Sequence, residues 1–171
     1  MEKTNPKNEL MITRLFDAPR ELAWKAWTDS EMFKRWWGPK GFTAPVAKMD
    51  LRVGGEYLNC MHSPEGRDYW SKGVYREIIP GKKLVMTDSF ADEEGNTVSS
   101  EHYGMSGFPM EMLISVAFEE EDNKTKLTLM HSGIENINDT DRGNMQEGWT
   151  QSLDKLAKLL AQAGLNKKRA A

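Results

Sequence analysis

EYLNCMHSPEGRDYWSKGVYREIIPGKKLVMTDSF, residues 56–90, carries the clearest strand pattern in the chain. Three extended segments succeed one another here, Glu56–Ser63, Tyr69–Ile79 and Lys83–Phe90, each with the two-residue alternation of a pleated strand. Pro64-Glu65-Gly66 and Pro80-Gly81 separate them, and both are turn signals. Strands this close in sequence pair as hairpins, so the segment predicts an antiparallel meander. In the first strand Tyr57, Asn59 and Met61 share one face, opposite Leu58, Cys60 and His62.

The same pattern extends outward. Upstream, Thr43–Val53 reads as a strand closed by Gly54-Gly55. Downstream, Met110–Glu119 and Lys126–Ser132 flank a turn at Asp122-Asn123-Lys124. Beyond them, residues 139–163 change to a helical period. Met145, Trp149, Ser152, Leu153, Leu156, Leu159 and Leu160 fall on one stripe, and Gly164 reads as the stop. Gly148 beside Trp149 allows a neighbour to approach this helix closely. At the other end, Leu10–Phe16 is a strand, and Pro19 suits the first turn of a helix through Trp27. Thr28-x-x-Glu31 has capping-box spacing for a second short helix, which stops at Gly38-Pro39. The predicted fold is α+β: a curved antiparallel sheet of six to seven strands around a long C-terminal α-helix, with two short helices after the first strand. It divides into a flexible N-terminus (1–9), a single domain (10–163) and a flexible basic tail (164–171).

Composition narrows the function classes. The chain has 171 residues and a net charge of −3, which lacks the basic stripe that nucleic-acid binding requires. No segment approaches the roughly 18 apolar residues of a membrane span, and the N-terminus has no apolar signal region. With a single cysteine, Cys60, an internal disulfide is impossible, and a soluble cytoplasmic protein is expected. Cys60 and His62 lie two apart, but no metal-ligand spacing accompanies them. Nucleophile-elbow, phosphate-loop and dinucleotide motifs are also missing from the sequence. Neither a metal nor a cofactor is therefore expected, and no catalytic residue announces itself. What stands out is bulk: 6 Trp and 11 Met in a short chain need a core, a pocket or an interface.

An ordered set of motifs carries a resemblance. Phe16-Asp17-Ala18-Pro19-Arg20-Glu21 is followed by Trp24-x-x-Trp27-Thr28-Asp29 and Trp36-Trp37-Gly38-Pro39. Then come Asp50-Leu51-Arg52-x-Gly54-Gly55, Met61 with the Pro64-Glu65-Gly66 turn, and Gly73-x-Tyr75-x-Glu77-Ile78. Leu84-Val85-x-Thr87-Asp88, His131-Ser132-Gly133 and Gly148-Trp149 with Leu153 complete it. Over residues 10–162 the chain resembles the family related to the activator of heat-shock-protein-90 ATPase. The resemblance implies a START-like helix-grip fold, in a superfamily (SRPBCC) that includes polyketide cyclases and lipid carriers. It also implies mostly bacterial single-domain proteins whose roles, stress response among them, are largely uncharacterised.

In such a fold, a strongly curved sheet gripping one helix leaves a gap where a ligand binds. The side chains expected to face it are Tyr57, Met61, Tyr75, Met86, Phe90, Met112, Ile114, Leu129 and His131 from the sheet. Trp149, Leu153 and Leu156 close it from the helix, while Trp27, Trp36 and Trp70 line the entrance. A register slip of one residue would invert these choices. The leading function is binding of a small hydrophobic or aromatic molecule. A polyketide-cyclase-like or hydrolytic enzyme would use His131 with Tyr75 or Glu77 as acid–base groups. Otherwise Glu77 and Asp88 are placed at a solvated edge or in pairs with Arg76 or Lys residues. A third reading is a co-chaperone-like module with a protein partner, or a homodimer. Residues 91–109, long and rich in glycine beside Met105 and Phe108, read as a lid or a hairpin tip.

Overall fold

Seven strands form one antiparallel sheet in the computed structural model, which describes residues 8–170, with side chains through Gly164. In chain order the elements are β1 (Glu9–Phe16), α1 (Arg20–Thr28), α2 (Ser30–Phe33), β2 (Thr43–Met49), β3 (Glu56–His62) and β4 (Asp68–Ile79). They continue with β5 (Lys83–Ala91), a single 3₁₀ turn (Ser100–Tyr103), β6 (Met112–Glu121), β7 (Lys124–Ser132) and α3 (Asp139–Ala170). The sheet order is β1-β7-β6-β5-β4-β3-β2. Every neighbour except the β1–β7 pair is therefore a sequential hairpin. The predicted α+β helix-grip architecture is the one observed.

Hairpin chemistry sets the register. Asp122 and Asn123 both adopt positive φ, 51° and 65°, which is the two-residue loop whose twist suits flanking strands. Leu113 through Glu121 pair with Ser132 through Lys124 without a slip. β4 carries a bulge between Tyr75 and Glu77 against β5, which bends the strand locally. β2 ends at Met49 rather than Val53. Beyond Met49 the chain turns through Arg52 N–H to Asp50 O and Gly55 N–H to Arg52 O, both 2.8 Å.

The short helices differ from expectation at their caps. Pro19 is itself the N-cap of α1, with ψ of 150°, one residue before the first turn. α2 is capped by Asp29 rather than Thr28. The Asp29 carboxylate accepts the N–H groups of Glu31 and Met32 at 3.0 and 3.1 Å. The Thr28 hydroxyl instead bonds back to Trp24 O. α3 passes through Gly164 and ends at Ala170, because an isolated glycine lowers helix propensity by only about 1 kcal/mol. Residues 1–7 of the predicted loose N-terminus lie outside the described residues, and Glu9 already belongs to β1.

α3 lies across the inner face of the sheet and buries Trp149, Leu153, Leu156 and Leu160, each worth about 1.5–3 kcal/mol of apolar transfer. Pro39 packs on the helix at Gly148, where a Cβ would meet Pro39 Cγ at an ordinary contact distance of 3.5 Å. Half-buried Lys155 donates to Pro39 O and Phe42 O at 3.4 and 3.1 Å. These bonds tie the α2–β2 loop to α3, and the same burial lowers the Lys155 pKa. Among the described residues no helix is long and apolar enough to cross a membrane.

Candidate functional site

Between the sheet and the N-terminal half of α3 lies a cavity of about 520 Å³. Its walls come from four places. β3, β4, β5 and β6 give Met61, Tyr69, Phe90 and Met112; α3 gives Met145, Gly148, Trp149 and Ser152. The α2–β2 loop gives Trp37, Pro39 and Phe42, and the segment after β5 gives Met105 and Phe108. Exposed Asn144 and half-buried Asp141 mark the rim on the first turns of α3. The walls are mutually packed rings. Trp37 meets Trp149 edge-on at 5.2 Å, Phe90 meets Phe108 at 5.4 Å, and Tyr69 lies 6.2 Å from Phe42. A broader depression near the β2–β3 turn has a solvated wall of Lys48, Asp50, Arg52, Glu56 and Lys72.

The polar floor is a connected set. The Trp149 Nε1–H donates to His131 Nδ1 at 3.1 Å. An indole nitrogen can only donate, so Nδ1 must accept and the imidazole proton sits on Nε2. His131 Nε2 lies 3.4 Å from Asp88 Oδ2, without hydrogen-bond geometry. The other carboxylate oxygen lies 3.4 Å from the Tyr57 hydroxyl, which donates to Thr87 O at 2.6 Å. Burial raises the Tyr57 pKa well above its ordinary value, and the nearby Asp88 charge adds to this. His131 is 3% exposed, and the Asp88 side chain is 17% exposed.

The sequence-selected residues divide into three groups. Met61, Phe90, Met112, His131 and Trp149 line the cavity. So does Trp70, although its register partner Cys60 places its Cβ on the opposite face. Tyr69, paired with Met61, is the inward residue. Trp27, Tyr57, Tyr75, Met86 and Ile114 lie around a separate void of about 20 Å³, one water in size. Trp36, Leu129, Leu153 and Leu156 are fully buried and line neither space. The indoles explain why that end is filled: Trp27 packs 4.8 Å from Trp36 and stacks 6.2 Å from Trp149. Trp36 Nε1–H is also held by Ala26 O at 2.9 Å. Neither Trp27 nor Trp36 therefore stands at an entrance.

Two acid–base expectations need correction. Glu77 sits past the β4 bulge, half-exposed, and pairs with Lys83 at 3.5 Å, away from His131. Tyr75 is buried at the small void, and burial raises its pKa to about 12. Asp88 is the carboxylate beside His131, not an edge residue. Alternation could have found it, since Met86, Asp88 and Phe90 are spaced by two. The same spacing from Tyr75 through Gly73 selects Ser71 and Tyr69. Trp37, Pro39, Phe42 and Met145 carried no comparable strand signal.

Residues 91–109 are partly structured. Asp92 closes a tight turn by accepting the Asn96 and Glu94 N–H groups at 2.8 and 3.0 Å. The Tyr103 hydroxyl donates to Ala91 O and accepts from Trp70 N–H at 3.0 Å. That link fixes the 3₁₀ turn to the sheet and sets Met105 and Phe108 at the cavity wall. Cys60 is a buried thiol. Its pKa is raised to about 11, by burial first and then by the Asp68 charge. Among the described residues no three His, Cys, Asp or Glu side chains gather as a metal site.

Comparison with known proteins agrees with this architecture. Residues 17–161 match the family model described as activator of Hsp90 ATPase homolog 1-like protein. Several solved structures share the fold. A protein from Chromobacterium violaceum is 28% identical over 90% of this chain and 96% of its own, with a TM-score of 0.73. The AHSA1 protein of Silicibacter pomeroyi is 25% identical over 91% of this chain and 99% of its own, with a TM-score of 0.71. A protein from Arthrobacter aurescens, 24% identical over 94% and 90%, has a TM-score of 0.79. No protein of curated function matches the chain.

Proposed function

We propose, from the premise that this chain belongs to the activator of Hsp90 ATPase homolog 1-like family, that it binds a small hydrophobic or aromatic molecule between sheet and α3. The observation that carries this is the cavity itself. Its volume of about 520 Å³ is in the range of small-molecule sites, and its walls are aromatic rings and Met side chains over one polar cluster.

The test is nuclear magnetic resonance titration with lipid, sterol and polyketide-like libraries. Binding should move the amides of Met61, Phe90 and Met112 and the Trp149 indole N–H. Ser71→Phe, which places a ring inside the cavity, should abolish the response. A library in which no compound perturbs these signals would sink the proposal. One geometric feature favours a catalytic alternative, the buried juxtaposition of His131 with Asp88. The two readings part on whether a bound compound is recovered unchanged.

A further inference from the structure

From the charge inside the cavity, and resting on the ligand-binding reading above, we infer that the preferred ligand is an aromatic-bodied organic cation and that carboxylates are rejected. Asp88 stands on the inward face of β5, in register with Met112, and its partly exposed carboxylate faces the space. Among the described residues its ion-pair contact within 4 Å is His131. Nδ1 of that imidazole is occupied as an acceptor by Trp149. Its Nε2 is buried and, among the described residues, makes no hydrogen bond, so none reaches the Asp88 carboxylate from that side.

Among the described residues no Lys or Arg lines the cavity, whereas a second carboxylate, Asp141, sits at the rim. Two basic groups that touch lining residues have other partners. Arg67 lies over the Tyr69 and Tyr103 rings at 5.1 and 5.7 Å without lining the cavity. Lys155 is held by two backbone carbonyls. The remaining wall is ring-rich: Trp37, Phe42, Tyr69, Phe90, Phe108 and Trp149. Ring faces attract cations, most strongly where water is excluded. A partly buried carboxylate disfavours a second negative charge nearby, because the apolar walls lower the local dielectric. Both features select a protonated amine over an alcohol, and an alcohol over an acid of the same shape.

A matched series on one bicyclic body tests this by isothermal titration calorimetry at pH 7. The probes are 2-(aminomethyl)naphthalene, 2-naphthalenemethanol and 2-naphthoate. The amine should bind at least tenfold tighter than the alcohol, and the alcohol at least tenfold tighter than the acid. Asp88→Asn should cost the amine at least tenfold, change the alcohol less than threefold and strengthen the acid. An acid that binds the wild-type protein as tightly as the amine overturns the charge selection while leaving the cavity reading intact. Failure of all three to bind overturns both. The wild-type order decides the matter even if Asp88→Asn does not fold.

Discussion

Trp149→Phe removes a single hydrogen-bond donor from the centre of the molecule, and its cost can be worked from the surroundings. In the wild-type protein the indole N–H meets His131 Nδ1 at 3.1 Å, and both residues are buried. Phenylalanine keeps a ring beside Trp27 and Trp37 but leaves Nδ1 without a donor. An orphaned buried acceptor costs about 1–3 kcal/mol, so a loss of about 2 kcal/mol is expected. For a domain of this size that corresponds to a fall in Tm of about 4–8 °C. His131→Phe orphans the indole N–H instead and should cost a similar amount. The double variant leaves neither group stranded, so chemical denaturation of the four proteins should show a coupling of about 1–2 kcal/mol. Nitrogen-15 spectra of His131 supply an independent check: Nδ1 bare and Nε2 protonated in the wild-type protein. Additive single losses, or a proton found on Nδ1, would refute the geometry on which the cavity floor rests.

Gly73→Ala should be severely destabilising. A Cβ there would lie 1.9 Å from Thr87 O and 2.5 Å from the Tyr57 ring, breaking the bond that holds Tyr57. A loss above about 3 kcal/mol by chemical denaturation is expected from such overpacking, and an unchanged Tm would contradict the packing. Cys60 should stay unreactive toward a thiol reagent at pH 8 in the native protein and react fully once unfolded. Because its native pKa is raised from 9.0 to about 11, the native state holds the proton longer than the unfolded chain. The Cys60 contribution is thus complete below about pH 9 and lost as pH rises toward 11. Cys60→Ala should flatten the alkaline decline in Tm, and an identical decline would count against the assignment.

Most of the fold was legible because its signals are local. Period-two runs, turn residues and the stripe on α3 need only near neighbours to be read, and even β1 was visible as a strand. Element ends were less secure. The β2 terminus and the α2 cap each turn on a pair of hydrogen bonds, such as Asp29 accepting two N–H groups, for which Thr28-x-x-Glu31 offered an equally good pattern. The candidate site was half legible. Alternation found Met61, Phe90, Met112 and His131, and would have found Asp88 had its charge not argued for the surface.

Local sequence suffices for the strands, their hairpin order, the long helix, the family and the supply of bulky side chains. Tertiary structure alone decided where that bulk is solid and where it is open. Trp27, Trp36, Leu153 and Leu156 are as apolar as Trp149 and Met112, yet only the latter pair faces the cavity of about 520 Å³. The physical reason is that packing is three-dimensional. Whether a side chain fills space or borders it depends on rings brought from distant segments, as when Trp27 of α1 stacks on Trp149 of α3. The pairing of Asp88 with His131 has the same origin: two strands separated by β6 carry the groups, and no sequence spacing encodes their distance.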